Sequence, residues 1–211
     1  MMMDIKKTIS STLLIFLSFI AVAQNNTKYE ARTILGDDLE YGGYGSFTLG
    51  YTKISNYNTF TGGMKGAWLI NHKLGLGLAG NGFATKTSEI KNKSFLTGGY
   101  GGFLVEPIFF SNNPIHFTVP LLIGGGGIAY VSERIFEDYF AEIYDVFFVF
   151  EPGIEMEINM TSFLRIALGI SYKITSDIDM TTSILGKEIS ILQKDDLNKF
   201  TVSLVFKFGK F

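Results

Sequence analysis

Eight runs of alternating apolar and small or polar residues, connections that switch between tight turns and longer links, and 24 glycines against 4 prolines predict one fold class. That class is all-β: an eight-stranded antiparallel up-and-down transmembrane β-barrel spanning residues 40–211. With 46% apolar and 15% aromatic residues and no Gly-X-Y period, the composition is neither disordered nor collagen-like. Glycine beside many aromatics suits a tightly curved sheet, where a missing side chain permits close backbone approach.

The first residues read as an export signal. Lys6 and Lys7 precede a short apolar core, Leu13 to Ala21, and Ala21-Val22-Ala23 supplies the small residues that a signal peptidase needs. Residues 1–23 are therefore expected to be a cleaved signal peptide, and residues 24–39, from Gln24 to Leu39, a periplasmic tail. The apolar core is too short for an anchor, because crossing a bilayer takes about 20 residues. The chain contains no cysteine, which rules out disulfides and thiolate metal sites. Beyond Ala23 there are 16 Lys and Arg against 19 Asp and Glu, a net charge of −3, so no basic face invites nucleic acid. No later stretch holds 18 consecutive apolar residues, so a membrane-inserted form would have to be a closed barrel.

The strands are taken in chain order. Gly43 to Lys53 sets Phe47, Leu49 and Tyr51 against Ser46, Thr48 and Gly50. Phe60 to Ile70 sets Phe60, Met64, Trp68 and Ile70 against Thr61, Gly63 and Lys65. Leu74 to Phe83 alternates leucine with glycine. Phe95 to Phe110 opposes Phe103 and Val105 to Gly102 and Glu106. The fifth run, Ile115 to Val131, opposes Ile115, Phe117, Val119, Leu121 and Ile123 to His116, Thr118, Pro120 and Gly124. Val146 to Asn159 sets Phe148, Phe150, Ile154, Met156 and Ile158 against Glu151, Glu155 and Glu157. The seventh sets Leu164, Ile166, Leu168, Ile170 and Tyr172 against Arg165, Gly169, Ser171 and Lys173. The last sets Phe200, Val202, Leu204, Phe206 and Phe208 against Thr201, Ser203, Lys207 and Gly209.

Most of these runs match the roughly 9–11 residues of a membrane strand better than the 5–6 usual in soluble sheets. Asn71–Lys73, Ser111–Pro114 and Asn159–Ser162 read as tight periplasmic turns, and Ile54–Thr59, Lys86–Ser94, Ser132–Asp145 and Ser176–Lys199 as longer outer links. Tyr51, Trp68, Phe109, Phe110, Phe117, Tyr130, Phe163 and Tyr172 lie near strand ends, as headgroup-level girdles do. Pro107, Pro120 and Pro152 fall inside predicted strands, where a missing N–H calls for a bulge or for an earlier strand end.

The Ala21-Val22-Ala23-Gln24 junction, the eight amphipathic runs and the terminal Phe211 resemble outer-membrane β-barrel proteins of the Bacteroidetes lineage. Trp68–His72, Gly98–Gly102 and Gly124–Gly127 are similar to segments of small, uncharacterised members of that group. The resemblance covers nearly the whole mature chain. It implies an outer-membrane location and recognition of Phe211 by the barrel-assembly machinery, and it transfers no catalytic residue.

With apolar faces turned to lipid, a polar network is expected in the lumen: Lys65, Glu106, His116, Glu151, Glu155, Arg165, Lys173 and Lys207, with Glu157 near a turn and partly outside. Such charges must pair across a narrow barrel or hold water, since an unpaired buried charge is costly. The expected role is a structural or surface-interaction one, exercised by a monomer through its outer links. The alternative is a narrow conduit for small solutes, and a barrel-embedded enzyme comes third. The histidines, His72 and His116, both lie at the turn end, so neither a catalytic constellation nor a metal centre is expected, and no cofactor is implied. The glycine clusters lack the Lys-Ser/Thr and following helix of a phosphate loop. Acidic residues of the third link (Glu133, Glu137, Asp138, Glu142, Asp145) and of the fourth (Asp177, Asp179, Asp195, Asp196) read as solvated loop charges.

Overall fold

A computed structural model describes residues 39–54, 57–87, 94–132, 143–176, 178–184 and 187–211. The expected signal peptide and nearly all of the tail lie outside the described residues. Asp38–Phe211 forms one compact unit.

The strands are β1 (Tyr41–Ile54), β2 (Tyr57–Ile70), β3 (Leu74–Thr87), β4 (Ser94–Phe109), β5 (Ile115–Thr118), β6 (Leu121–Ser132), β7 (Ile143–Asn159), β8 (Leu164–Tyr172), β9 (Ile174–Thr175), β10 (Asp179–Ile184), β11 (Lys187–Gln193) and β12 (Phe200–Lys210). A short helix, α1 (Lys194–Leu197), precedes β12. Each strand pairs antiparallel with its neighbours, and β12 returns to β1 over Gly43↔Lys210 to Thr52↔Thr201, closing the sheet. In this ring β5 and β6 form the fifth stave in line, β8 and β9 form the seventh, and β12 is the eighth. The β10–β11 hairpin pairs only with itself and joins no ladder of the ring, although β10 lies against β7.

Side-chain parity, fixed by the two-residue strand period, decides what faces where. Phe60 is 77% exposed and Phe103 74%, while Val149 and Val205 are fully buried. The outward rows of the staves carry charge only at their ends, as at Lys53 and Lys210. Between those ends they are Phe, Leu, Ile, Val, Met, Trp, Gly and Ala, with single prolines and Thr97. Exposed aromatics gather at both ends of this belt. Trp68, Phe109, Phe110, Phe117 and Phe163 lie at the turn end, and Tyr51, Phe60, Tyr144 and Phe200 toward the links. Rings also pair across strands, Tyr41 with Trp68 at 5.3 Å and Tyr51 with Phe60 at 5.6 Å. Water would not solvate such an outer surface, whereas hydrocarbon flanked by headgroups would.

The tight connections fall where expected. Asn71 and His72 both have positive φ, 51° and 52°, and Lys73 N–H donates to Ile70 O at 3.0 Å, a type I′ hairpin turn whose twist matches that of the strands. Thr161 Oγ1 accepts from the N–H groups of Phe163 and Leu164, closing the β7–β8 turn.

Three expectations are corrected. β1 and β2 continue to Ile54 and Tyr57, so the expected link Ile54–Thr59 shrinks to residues 55–56, because Asn58 and Thr59 still pair, with Lys53 and Thr52. The Ser176–Lys199 link is largely structured, holding β10, β11 and α1, and it contributes the buried Ile178 and Leu197. The prolines create no bulge, and only Pro120 coincides with a strand end. Pro107 and Pro152 sit within continuous β4 and β7, and the break between β5 and β6 at Val119–Pro120 leaves the register unchanged on both sides. Carbonyls keep the ladder there: Pro107 O accepts from Val119 N–H at 3.0 Å and Pro120 O from Gly153 N–H at 2.8 Å.

Candidate functional site

The inward rows hold small residues, two apolar clusters and the charges. Toward the links, Ile54, Phe83, Leu96, Ile128, Phe147 and Val149 pack with Ile178 and Leu197. Toward the turns, Tyr44, Ala67, Leu69, Leu104 and Ile108 pack with Phe211. Between and beside these clusters lie Lys65, Glu106, His116, Glu151, Glu155, Glu157, Arg165, Lys173 and Lys207, most of them buried.

Lys207 of β12 is the centre. Its ammonium contacts carboxylate oxygens of Glu106 and Glu157, and lies 3.1 Å from Glu155 Oε2. The last contact is an ion pair without hydrogen-bond geometry, since Glu155 Oε2 has no hydrogen-bond partner. Oxygens of Glu106, Glu155 and Glu157 lie within 4.8 Å of one another, close enough to hold a cation. Lys207 supplies that positive charge. Tyr44 donates its hydroxyl hydrogen to Glu106, and Thr118 Oγ1 donates to Glu157 Oε1 at 3.2 Å. His116 Nε2 lies 3.0 Å from Glu157 Oε2, and Arg165 Nη1 lies 3.5 Å from the same oxygen.

Strand order gives these contacts reach. β4 and β12 are opposite staves of the ring, as are β2 and β7. Lys207–Glu106 therefore crosses the lumen in one direction, and Lys65–Glu155, at 2.5 Å, crosses it in another. Below them Phe211 turns inward, its ring 6.1 Å from that of Tyr44 and 4.0 Å beneath the Arg165 guanidinium.

Glu151 and Lys173 stand apart from this cluster. Glu151 Oε1 accepts from Ser171 Oγ at 2.5 Å. Lys173 Nζ lies over aromatic faces instead, 4.3 Å from the Tyr100 ring centre and 5.3 Å from that of Phe83. A cavity of about 70 Å³ lies in mid-lumen, lined by Glu151, Glu155, Lys65, Asn81, Tyr100 and several Thr and Ser hydroxyls.

The closed antiparallel ring has a known counterpart. The chain shares the fold of Ail. Ail is the attachment invasion locus protein of Yersinia pestis, solved in complex with the heparin analogue sucrose octasulfate. The match has a TM-score of 0.50 at 14% identity, covering 82% of this chain and 99% of Ail. Neisserial surface protein A is also similar, with a TM-score of 0.49 and 10% identity over 82% of this chain and 99% of that one. No family model matches the sequence, and neither does any curated protein.

One site expectation is corrected. Glu157 is not partly outside the lumen but 1% exposed, drawn inward by Lys207, His116, Thr118 and Arg165. Residues that the sequence reading passed over include Tyr44, Tyr100, Asn81 and, as an inward ring, Phe211. Parity carried the signal for each: Tyr44 shares its face with Ser46, and Phe211 with Lys207 and Gly209. His72, by contrast, sits in the exposed turn, its Nε2 2.7 Å from Glu40 Oε2.

Proposed function

We propose that this chain is an outer-membrane barrel that acts as a membrane-anchored, non-enzymatic surface protein, working through its link-end connections rather than as a conduit. The observation supporting this reading is the pair of ion contacts, Lys65–Glu155 and Lys207–Glu106, that cross the lumen between opposite staves. A pore would need those charges parted, and parting a buried pair leaves both groups uncompensated at a cost of several kcal/mol. Outer-membrane lipid is the partner that the apolar belt fits, and the chain works as a monomer. The assembly machinery would read Phe211 before its ring closes against Arg165 and Tyr44. Residues 1–23 direct export and are removed.

The segment 133–145 carries Glu133, Glu137, Asp138, Glu142 and Asp145 against a single Arg134, interleaved with four aromatic residues. Ail was solved with a sulfated ligand, but this segment suits a basic or neutral partner better, since a sulfate would meet like charge. Planar-bilayer recording on the purified full chain tests the reading against the conduit. Silent membranes are expected, and reproducible single-channel steps would overturn it.

A further inference from the structure

We propose that the mid-lumen cavity binds a hard cation of the Ca²⁺ type, anchored on the carboxylate of Glu151. The lumen's charges are matched in number but not in place. Glu106, Glu155 and Glu157 each have a Lys or Arg nitrogen within 3.5 Å. No described cation stands that close to Glu151. Its Oε2 has no hydrogen-bond partner, and the residue is only 8% exposed. The register places Lys173 opposite Glu151, between Gly153↔Ser171 and Phe150↔Ile174, near enough for the two charges to interact. Its ammonium nevertheless lies over Tyr100 and Phe83, out of ion-pair contact, and a carboxylate so buried favours a counter-charge in direct contact.

The cavity beside Glu151 is suited to supply one. Oxygen groups dominate its polar wall: the Glu151 carboxylate, the Asn81 amide, the Tyr100 phenol and hydroxyls that include Thr61 and Ser203. Lys65 also lines it, but its ammonium is held by Glu155. Oxygen donors without thiolate or imidazole select hard ions over zinc or copper. At about 70 Å³ the space takes an ion with a few waters, each water needing roughly 10–15 Å³ by this measure, and falls far below an organic ligand pocket. Ca²⁺ tolerates such a mixed, irregular shell better than Mg²⁺, which demands an octahedron. An anion would face the unpartnered carboxylate oxygen and be repelled.

Tb³⁺, a luminescent stand-in for Ca²⁺, provides the test on the full chain folded in detergent. Tyr100, on the cavity wall, can sensitise its emission. One saturable site is expected, displaced by Ca²⁺ and weakened at least tenfold in Glu151→Gln and severalfold in Asn81→Ala. Neutralising Glu133, Glu137, Asp138, Glu142 and Asp145 together should leave that site intact, separating it from any ion on the acidic link. Each variant is first checked for the mobility shift of a folded barrel on unheated electrophoresis. Should Glu151→Gln fail that check, Asn81→Ala and calorimetric Ca²⁺ titration of the unaltered chain carry the test. Absence of saturable binding to the unaltered chain would overturn the proposal. So would affinity that survives both lumen substitutions, or that disappears with the link acids.

Discussion

Lys207 is the residue on which the turn-end half of the lumen depends, because one ammonium satisfies carboxylates from three positions on two other staves. Lys207→Met keeps much of the side-chain volume and removes the charge. Glu106 and Glu157 are then left buried without their main partner, a loss of about 3–5 kcal/mol. Urea unfolding of the chain in lipid vesicles should report a drop of that order, and the additional change Glu106→Gln should recover part of it. Glycine offers a second contrast. A Cβ at Gly124 would stand 2.1 Å from Gly101 O, inside the contact distance of any real side chain, whereas one at Gly62 would meet nothing within 4 Å. Gly124→Ala should therefore cost on the order of 1–3 kcal/mol, as overpacking does, while Gly62→Ala should be neutral or stabilising by about 0.5–1 kcal/mol in the same unfolding measurement. Residue identity on each face was legible in the sequence, since a strand's side chains alternate with a period of two. Which acid meets which base was not. That depends on the stagger between opposite staves, and nothing in the pattern of β2 alone says that Lys65 will meet Glu155.

At the scale of elements, the turn-end connections and the links behave differently. Asn71 is a residue that accepts positive φ readily, and the turns at Asn71–Lys73 and Asn159–Ser162 could be read from their residue types. The link side was harder to read. Tyr57-Asn58-Thr59 alternates with weak contrast, which hides the extension of β2 to Tyr57, and the acids flanking Thr182–Gln193 make that stretch read as a solvated link although its Ile and Leu residues build a hairpin. Pro107, Pro120 and Pro152 looked like three separate interruptions. Register brings them side by side on β4, the fifth stave and β7, with Pro152 facing Leu121 and Leu121 facing Val105, two residues from Pro107. The β10–β11 hairpin contributes no pairing to the ring. Replacing residues 179–193 with a short Gly-Ser connection, while keeping Ile178 and Leu197 to pack against Phe147 and Val149, should leave the barrel folded. Unheated electrophoresis checks this, and a variant that migrates only as unfolded chain would show that the hairpin is part of the barrel's stability.

At the scale of the whole molecule, the apolar rows face outward, as hydrocarbon requires, and the charges face inward. Among the described residues, the four carboxylates and four Lys or Arg side chains buried in the lumen, with apolar and glycine rows outside, are the inverse of a water-soluble protein. Trp68 provides an internal probe of that inversion, being the chain's single tryptophan, outward on β2 and 56% exposed. The chain folded into vesicles containing brominated phospholipid should show Trp68 emission strongly quenched by the lipid bromine and little affected by aqueous iodide. Emission untouched by brominated lipid and quenched by iodide would put that face in water and contradict the account.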